Sequence, residues 1–265
     1  MGKLQGLVWK EWMQYKGIVI LSIIGSVFGT IVSPYLLKRM IEVDEPLSDI
    51  LLLTSSVWMY VYILFFFCLF FASLEKDMKR PDIWFHNSSS TFTLIGAKLI
   101  AVTLFSLPGL VMNGIITVVG YDLLVEVNNL GFTKLLLLEF LLIGTTYLLA
   151  LSFTIGLLTM WVLGRVLKPF NTFFSYVVAV VVYFYFYRSY LRFIDSELYH
   201  SFSSHWKLPL PYIESVEVTS ASFAVFMDIN EIYLFDLLVK VIFFCILFLL
   251  SVLVIQKRVR GFRHD

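Results

Sequence analysis

The chain has 265 residues, 59% of them hydrophobic and only 15% charged, with a mean hydropathy of +0.86. A soluble domain carries roughly a quarter charged residues, so this composition excludes an ordinary water-facing globule and points to a bilayer as solvent. The net charge of +1 gives no basic bias toward nucleic acid.

The first segment, MGKLQGLVWKEWMQYKG, is too charged for the apolar core of a signal peptide. Residue 6 is glycine, where myristoylation needs Ser or Thr. Leu4, Leu7, Val8, Trp12 and Tyr15 recur at helical spacing, with Lys3, Lys10 and Lys16 between them. This pattern predicts an interfacial helix over 1–17, with Trp9, Trp12 and Tyr15 at headgroup depth.

A span needs about 20 apolar residues, and six stretches qualify: about 18–37, 50–74, 99–120, 135–163, 170–187 and 234–255. The expectation is an all-α integral membrane fold, one transmembrane domain over 1–265. Basic residues favour the N-terminus, the loops after spans two and four, and the C-terminus by roughly two to one. That bias predicts both termini in the cytoplasm, a cytoplasmic loop over 75–98 and a long outer segment over 188–233.

Span one places Gly25 and Gly29 four apart beside Ser22 and Ser26, which suits close helix approach within the chain or across a dimer. Span three contains Pro108 and Gly109, which predict a kink. Span five contains Tyr176 and ends in an aromatic run from Tyr183 to Tyr187, which reads as a membrane-interface belt or as the lining of a path for amphipathic cargo. Glu139 and Lys240 are the ionisable residues inside spans, both near span ends, where their expected behaviour is to snorkel. Asp236 and Lys240 are spaced for a helix-surface pair. In the outer segment, LPLPY at 208–212 reads as stiff extended chain, and the apolar stretch Ala221–Met227 as one that dips into the interface.

Enzyme signatures are missing. HExxH, GxSxG and GxxxxGK[ST] do not occur. Cys68 and Cys245 sit in apolar runs without metal-ligand spacing. No catalytic residue and no metal site is expected, and any use of ATP needs a nucleotide site on another polypeptide.

The loop after span two reads EKDMKRPDIWFHNSSSTFTLIGAK. Pro81 suits the first turn of a helix and Asp82 the positive end of its dipole. Trp84, Phe85, Phe92, Leu94 and Ile95 supply apolar contacts, and Ser88 to Ser90 a turn. The pattern of Trp84, His86, Ser88, Leu94 and Lys98 resembles that of permease subunits of type-2 ABC exporters from Gram-positive bacteria. The order of elements, from interfacial helix through six spans, is similar along essentially the whole chain, although the motif covers only about 20 residues. Within that family the likeness extends to the larger permeases of the phenol-soluble modulin exporters of Firmicutes.

The resemblance implies that Pro81, Asp82, Trp84, Phe85, His86, Ser88, Leu94 and Lys98 dock a cytoplasmic ABC ATPase, which holds the ATP and Mg. It implies a second permease copy, identical or closely related, and amphipathic peptides as substrate; Gly25, Gly29, Pro108, Tyr176 and Tyr183 are the residues expected along the pathway or the dimer contact. A permease that clears antimicrobial peptides from the bilayer, and a non-transporting assembly or sensor protein, stay open beside it.

Overall fold

The computed structural model describes residues 2–41, 46–79, 90–124, 132–167, 172–203, 207–209, 216–219, 224–227 and 231–261. Six of its helices are long and apolar enough to cross a membrane: Leu4–Met40, Leu47–Met78, Thr91–Leu124, Phe132–Val166, Phe173–Ile194 and Phe235–Lys257. The chain is a helical, multi-pass membrane protein.

The first of these corrects the expectation of a separate interfacial helix. Helix α1 runs without a break from Lys3 to Val27, continues through a π-helical turn at Phe28–Val32, and ends as α2, Ser33–Ile41. Pro34 explains the π turn. Proline has no N–H and its ring crowds the carbonyl four residues back, so the ladder shifts register. The Ser33 N–H then bonds the Phe28 carbonyl, five residues back.

Helix α3 covers Leu47–Met78 and α4 covers Thr91–Leu124. Both run past the expected span ends, so the connection expected over 75–98 narrows to 79–90. Ser90 caps α4, its hydroxyl accepting the Thr93 N–H at 3.1 Å. Helix α4 continues through Pro108. Helices α5, Phe132–Leu167, and α6, Thr172–Ile194, supply the fourth and fifth spans.

The segment after α6 holds a short helix, α7, Glu197–Ser203, and four short strands: β1 Lys207–Pro209, β2 Val216–Thr219, β3 Ala224–Met227 and β4 Glu231–Tyr233. Strands β1 and β4 pair antiparallel, as do β2 and β3. Apart from these two short ladders the described chain is helical, in keeping with the all-α expectation. Ala224–Met227, part of the apolar stretch expected to dip into the interface, pairs with Val216–Thr219; residues 221–223 lie outside the described residues. Helix α8, Leu234–Gly261, is the sixth span.

The chain divides into two compact units. The first comprises Met1–Lys79, Gly96–Ala150 and Pro211–Ile229. The second comprises Arg80–Ile95, Leu151–Leu210 and Asn230–Asp265.

Candidate functional site

In the first unit, α3 packs antiparallel to α1. Lys10 meets Asp77, Glu11 meets Ser73, and Ser22 meets Tyr62. Helix α4 lies antiparallel on α3, with Lys98 at Ser73 and Asn113 at Ser55. The seam between the three helices is polar at several levels, and one level is charged.

Lys98, two turns into α4, is the centre of that charged level. Its ammonium donates to Glu11 Oε1 at 2.8 Å, Asp77 Oδ2 at 2.8 Å and Ser73 Oγ at 2.6 Å. An ammonium has three protons, and each has an acceptor here. The Ser73 hydroxyl donates to Glu11 Oε2 at 2.7 Å. Lys10 approaches the outer side of Asp77 at 3.1 and 3.2 Å. Lys98 and Glu11 are 2% and 4% exposed, so both charges are desolvated and depend on each other. Two acids and two bases leave the group neutral.

The cluster ties three points of the chain together. Glu11 belongs to the N-terminal helix, Ser73 and Asp77 to the last turns before the 79–90 connection, and Lys98 to the second turn after it. Both flanks of that connection are therefore fixed to α1 by charge-assisted hydrogen bonds.

Two neutral levels lie further along the seam. Tyr62 donates to the Ser22 carbonyl at 2.8 Å, and Ser26 donates to the Gly109 carbonyl at 2.7 Å. Ser26 and Tyr62 also share a hydrogen bond. Tyr62 lies so close to Gly109 that a Cβ there has no room. At the next level the Asn113 amide donates to Ser55 Oγ at 3.1 Å, and Thr117 donates to it at 2.7 Å.

Of the residues read from the docking-loop motif, Pro81, Asp82, Trp84, Phe85, His86 and Ser88 lie outside the described residues. Leu94 and Lys98 fall in the first turns of α4. Leu94 is buried, and its N–H bonds the Ser90 carbonyl at 3.0 Å. Lys98 is buried in the charge cluster. Neither is an exposed contact residue of a loop.

Trp9 is exposed, Trp12 packs its ring 5.6 Å from Phe105, and Tyr15 is buried. Two of the three aromatics thus rest on protein. The Trp58 indole occupies the space beside Gly29, which makes this glycine an intrachain contact; Gly25 and Trp58 line a groove of about 390 Å³ between α1 and α3.

In the second unit, Tyr176 is exposed, with its ring 2.7 Å from where a Cβ of Gly164 falls. Tyr183 stacks on Tyr187 at 6.3 Å and lines an apolar cavity of about 290 Å³ between α5, α6 and α8, with Val162, Phe186, Phe243 and Leu247. Asp236 does not pair with Lys240. Its Oδ1 accepts Tyr199 at 2.5 Å and Ser203 at 2.9 Å, while Lys240 is exposed. Burial, then the Asp236 carboxylate, raises the Tyr199 phenol above its ordinary range, so Tyr199 remains the donor. Glu139 corrects the other snorkelling expectation, since it is only 5% exposed.

Sequence reasoning missed Glu11 and Asp77 as buried charges. A signal was present: Glu11 falls on the apolar stripe of Leu7, Val8 and Tyr15. Ser73 and Asp77, one turn apart, share a face in the same way. Among the described residues no group of His, Cys, Asp and Glu is placed to hold a metal ion. Comparison with protein-family models, with curated proteins and with solved structures gives no match.

Proposed function

We propose that this chain is the membrane-spanning permease subunit of an ATP-binding-cassette exporter. It works in the cell membrane with both termini in the cytoplasm and moves amphipathic or hydrophobic substrates, peptides foremost. The observation that carries this reading is the buried cluster of Glu11, Ser73, Asp77 and Lys98. A soluble ATPase can drive a membrane pathway only through a protein contact, and a contact transmits force only if its base is stiff. The cluster gives the 79–90 connection such a base. That connection contains Trp84 and Phe85, residue types that serve as interface anchors.

The apolar cavity beside Tyr183 supports the substrate class, because a hydrophilic charged solute would need paired polar groups there. ATP and Mg belong to the partner ATPase, and two permease copies complete the pathway.

The test is purification of the tagged chain from its native membranes in mild detergent. The expected result is co-purification of a soluble ATP-hydrolysing chain, with no hydrolysis by the permease alone. A permease recovered without any such chain, or hydrolysing ATP alone, would contradict the reading. Orientation has its own test. A cysteine at Ser201, which is exposed on α7, should react with an impermeant thiol reagent in intact cells and one at Ser89 should not; the reverse pattern would overturn it.

A further inference from the structure

Glu139 lies two turns into α5 and touches neither the charge cluster nor any other hydrogen-bonding group shown for the described residues. Its side chain is buried, and its Oε2 has no hydrogen-bond partner. Gly114 and Ile143 are the neighbours on this side. A Cβ placed on Gly114 of α4 falls 3.5 Å from Oε2 and 3.0 Å from Ile143 Cδ1. Ile143, one turn further along α5, packs in turn on Met59, Tyr62 and Leu110. Next to Gly114 along α4, Asn113 is also fully buried, and its Oδ1 has no partner.

Two buried acceptors without a donor is an arrangement that an ionised carboxylate makes worse. An uncompensated buried carboxylate costs far more than one that has taken up a proton. Among the described residues, Glu139 is in none of the ion pairs, which join Lys10 to Asp77 and Lys98 to Glu11 and Asp77. Of the titratable groups on the helices packed here, Tyr62 of α3 and Tyr147 of α5 belong to the cluster that Ile143 joins; Asp49 and Tyr60 of α3, Tyr121 and Asp122 of α4 and Lys134 of α5 sit elsewhere along the same helices.

We propose that Glu139 is a proton-binding site inside the helix bundle, its carboxyl held neutral between α4 and α5 against Gly114. The carboxyl O–H gives its proton to water only when these helices separate far enough to hydrate it. Closing the helices recaptures a proton from water. The site does not depend on the exporter reading, and its tests need no ATPase.

The first test is reaction of the protein in native membranes with an apolar carbodiimide, which adds to a protonated carboxyl and rearranges to an N-acylurea. Labelled peptides are then read by mass. The expected label at Glu139 is roughly tenfold above that at Glu11 or Asp77, each of which is hydrogen-bonded to the Lys98 ammonium. It should fall as pH rises and be indifferent to sodium ion. Protection by sodium would show a metal-cation site and overturn the proposal.

The second test covers failure of the reagent to reach the site. Wild type and Glu139→Gln should melt together near about pH 5, and wild type should fall progressively below the variant toward about pH 8. The sign follows because the unfolded carboxyl ionises freely while the folded one must keep its proton. Parallel melting curves across that range would overturn the proposal.

Discussion

The two compact units use opposite means to hold helices together. In the first, hydroxyl, amide and ion-pair contacts cross between α1, α3 and α4 at successive levels, from Lys98 with Glu11 and Asp77 to Asn113 with Ser55. In the second, rings and aliphatic chains dominate. Tyr190 stacks on Phe243 at 4.3 Å, Phe202 on Phe235 at 6.1 Å, and the cavity beside Tyr183 is lined by apolar groups and two hydroxyl-bearing residues, Thr159 and Ser251. Thr159 and Ser251 bond each other at 3.1 Å. Directional contacts have few alternative geometries, whereas apolar surfaces slide and repack at small cost. The difference is one of bonding: directional contacts hold the helices of the first unit, and ring and aliphatic packing holds those of the second.

The sharpest way to break this contrast is Lys98→Met. It leaves the Glu11 and Asp77 carboxylates facing each other without their shared cation, which should cost about 3–5 kcal/mol. The measurement is apparent melting in detergent, and adding Glu11→Gln and Asp77→Asn should recover part of the loss. An unchanged melting temperature would mean that the cluster does not brace the first unit.

Gly29→Ala comes next. The new methyl meets the Trp58 ring, and overpacking of this kind costs about 1–3 kcal/mol. Gly25→Ala is the control, because its nearest neighbour is a Trp58 ring carbon at 4.0 Å. Equal melting of the two variants would show that Trp58 is not seated as described.

In the second unit, Asp236→Asn should cost about 1–2 kcal/mol, since two hydroxyl donors lose a charged acceptor but keep a neutral one. Tyr183→Phe should cost less than about 1 kcal/mol, since the ring stacking that holds the side chain is retained. A loss at Tyr183 as large as that at Lys98 would erase the distinction between the units.

The spans were legible because each is a run of about 20 apolar residues, and only a helix satisfies its backbone within a single segment in a bilayer. Their ends were not. Asp77 and Lys98 lower local hydropathy, yet both remain helical because each finds a partner across the seam. The same effect hid the continuity of α1, where Lys10, Glu11 and Lys16 dilute the apolar pattern. The Glu11–Lys98 contact joins positions 87 residues apart, a pairing that no local spacing reveals. The π turn follows from Pro34, but proline alone does not say whether a helix kinks, ends or widens. The β2–β3 pairing was not legible because a short apolar stretch fits several kinds of segment equally well. Lys98 was read as part of the docking loop, and the structure places it buried in the charge cluster.

The central claim is that the connection braced by the cluster receives force from an ATPase, and Trp84→Ala tests it most directly. Removing one interface anchor should cost about 2 kcal/mol of docking energy, a loss of roughly thirtyfold in affinity, while membrane insertion and melting temperature stay at wild-type values. The measurement is ATP hydrolysis by the reconstituted complex, with and without an amphipathic peptide, as a function of added ATPase. The account predicts that peptide stimulation is lost at ATPase concentrations that saturate the wild type and returns only at much higher ones. Stimulation equal to wild type, at equal ATPase concentration and with the variant inserted normally, would contradict it.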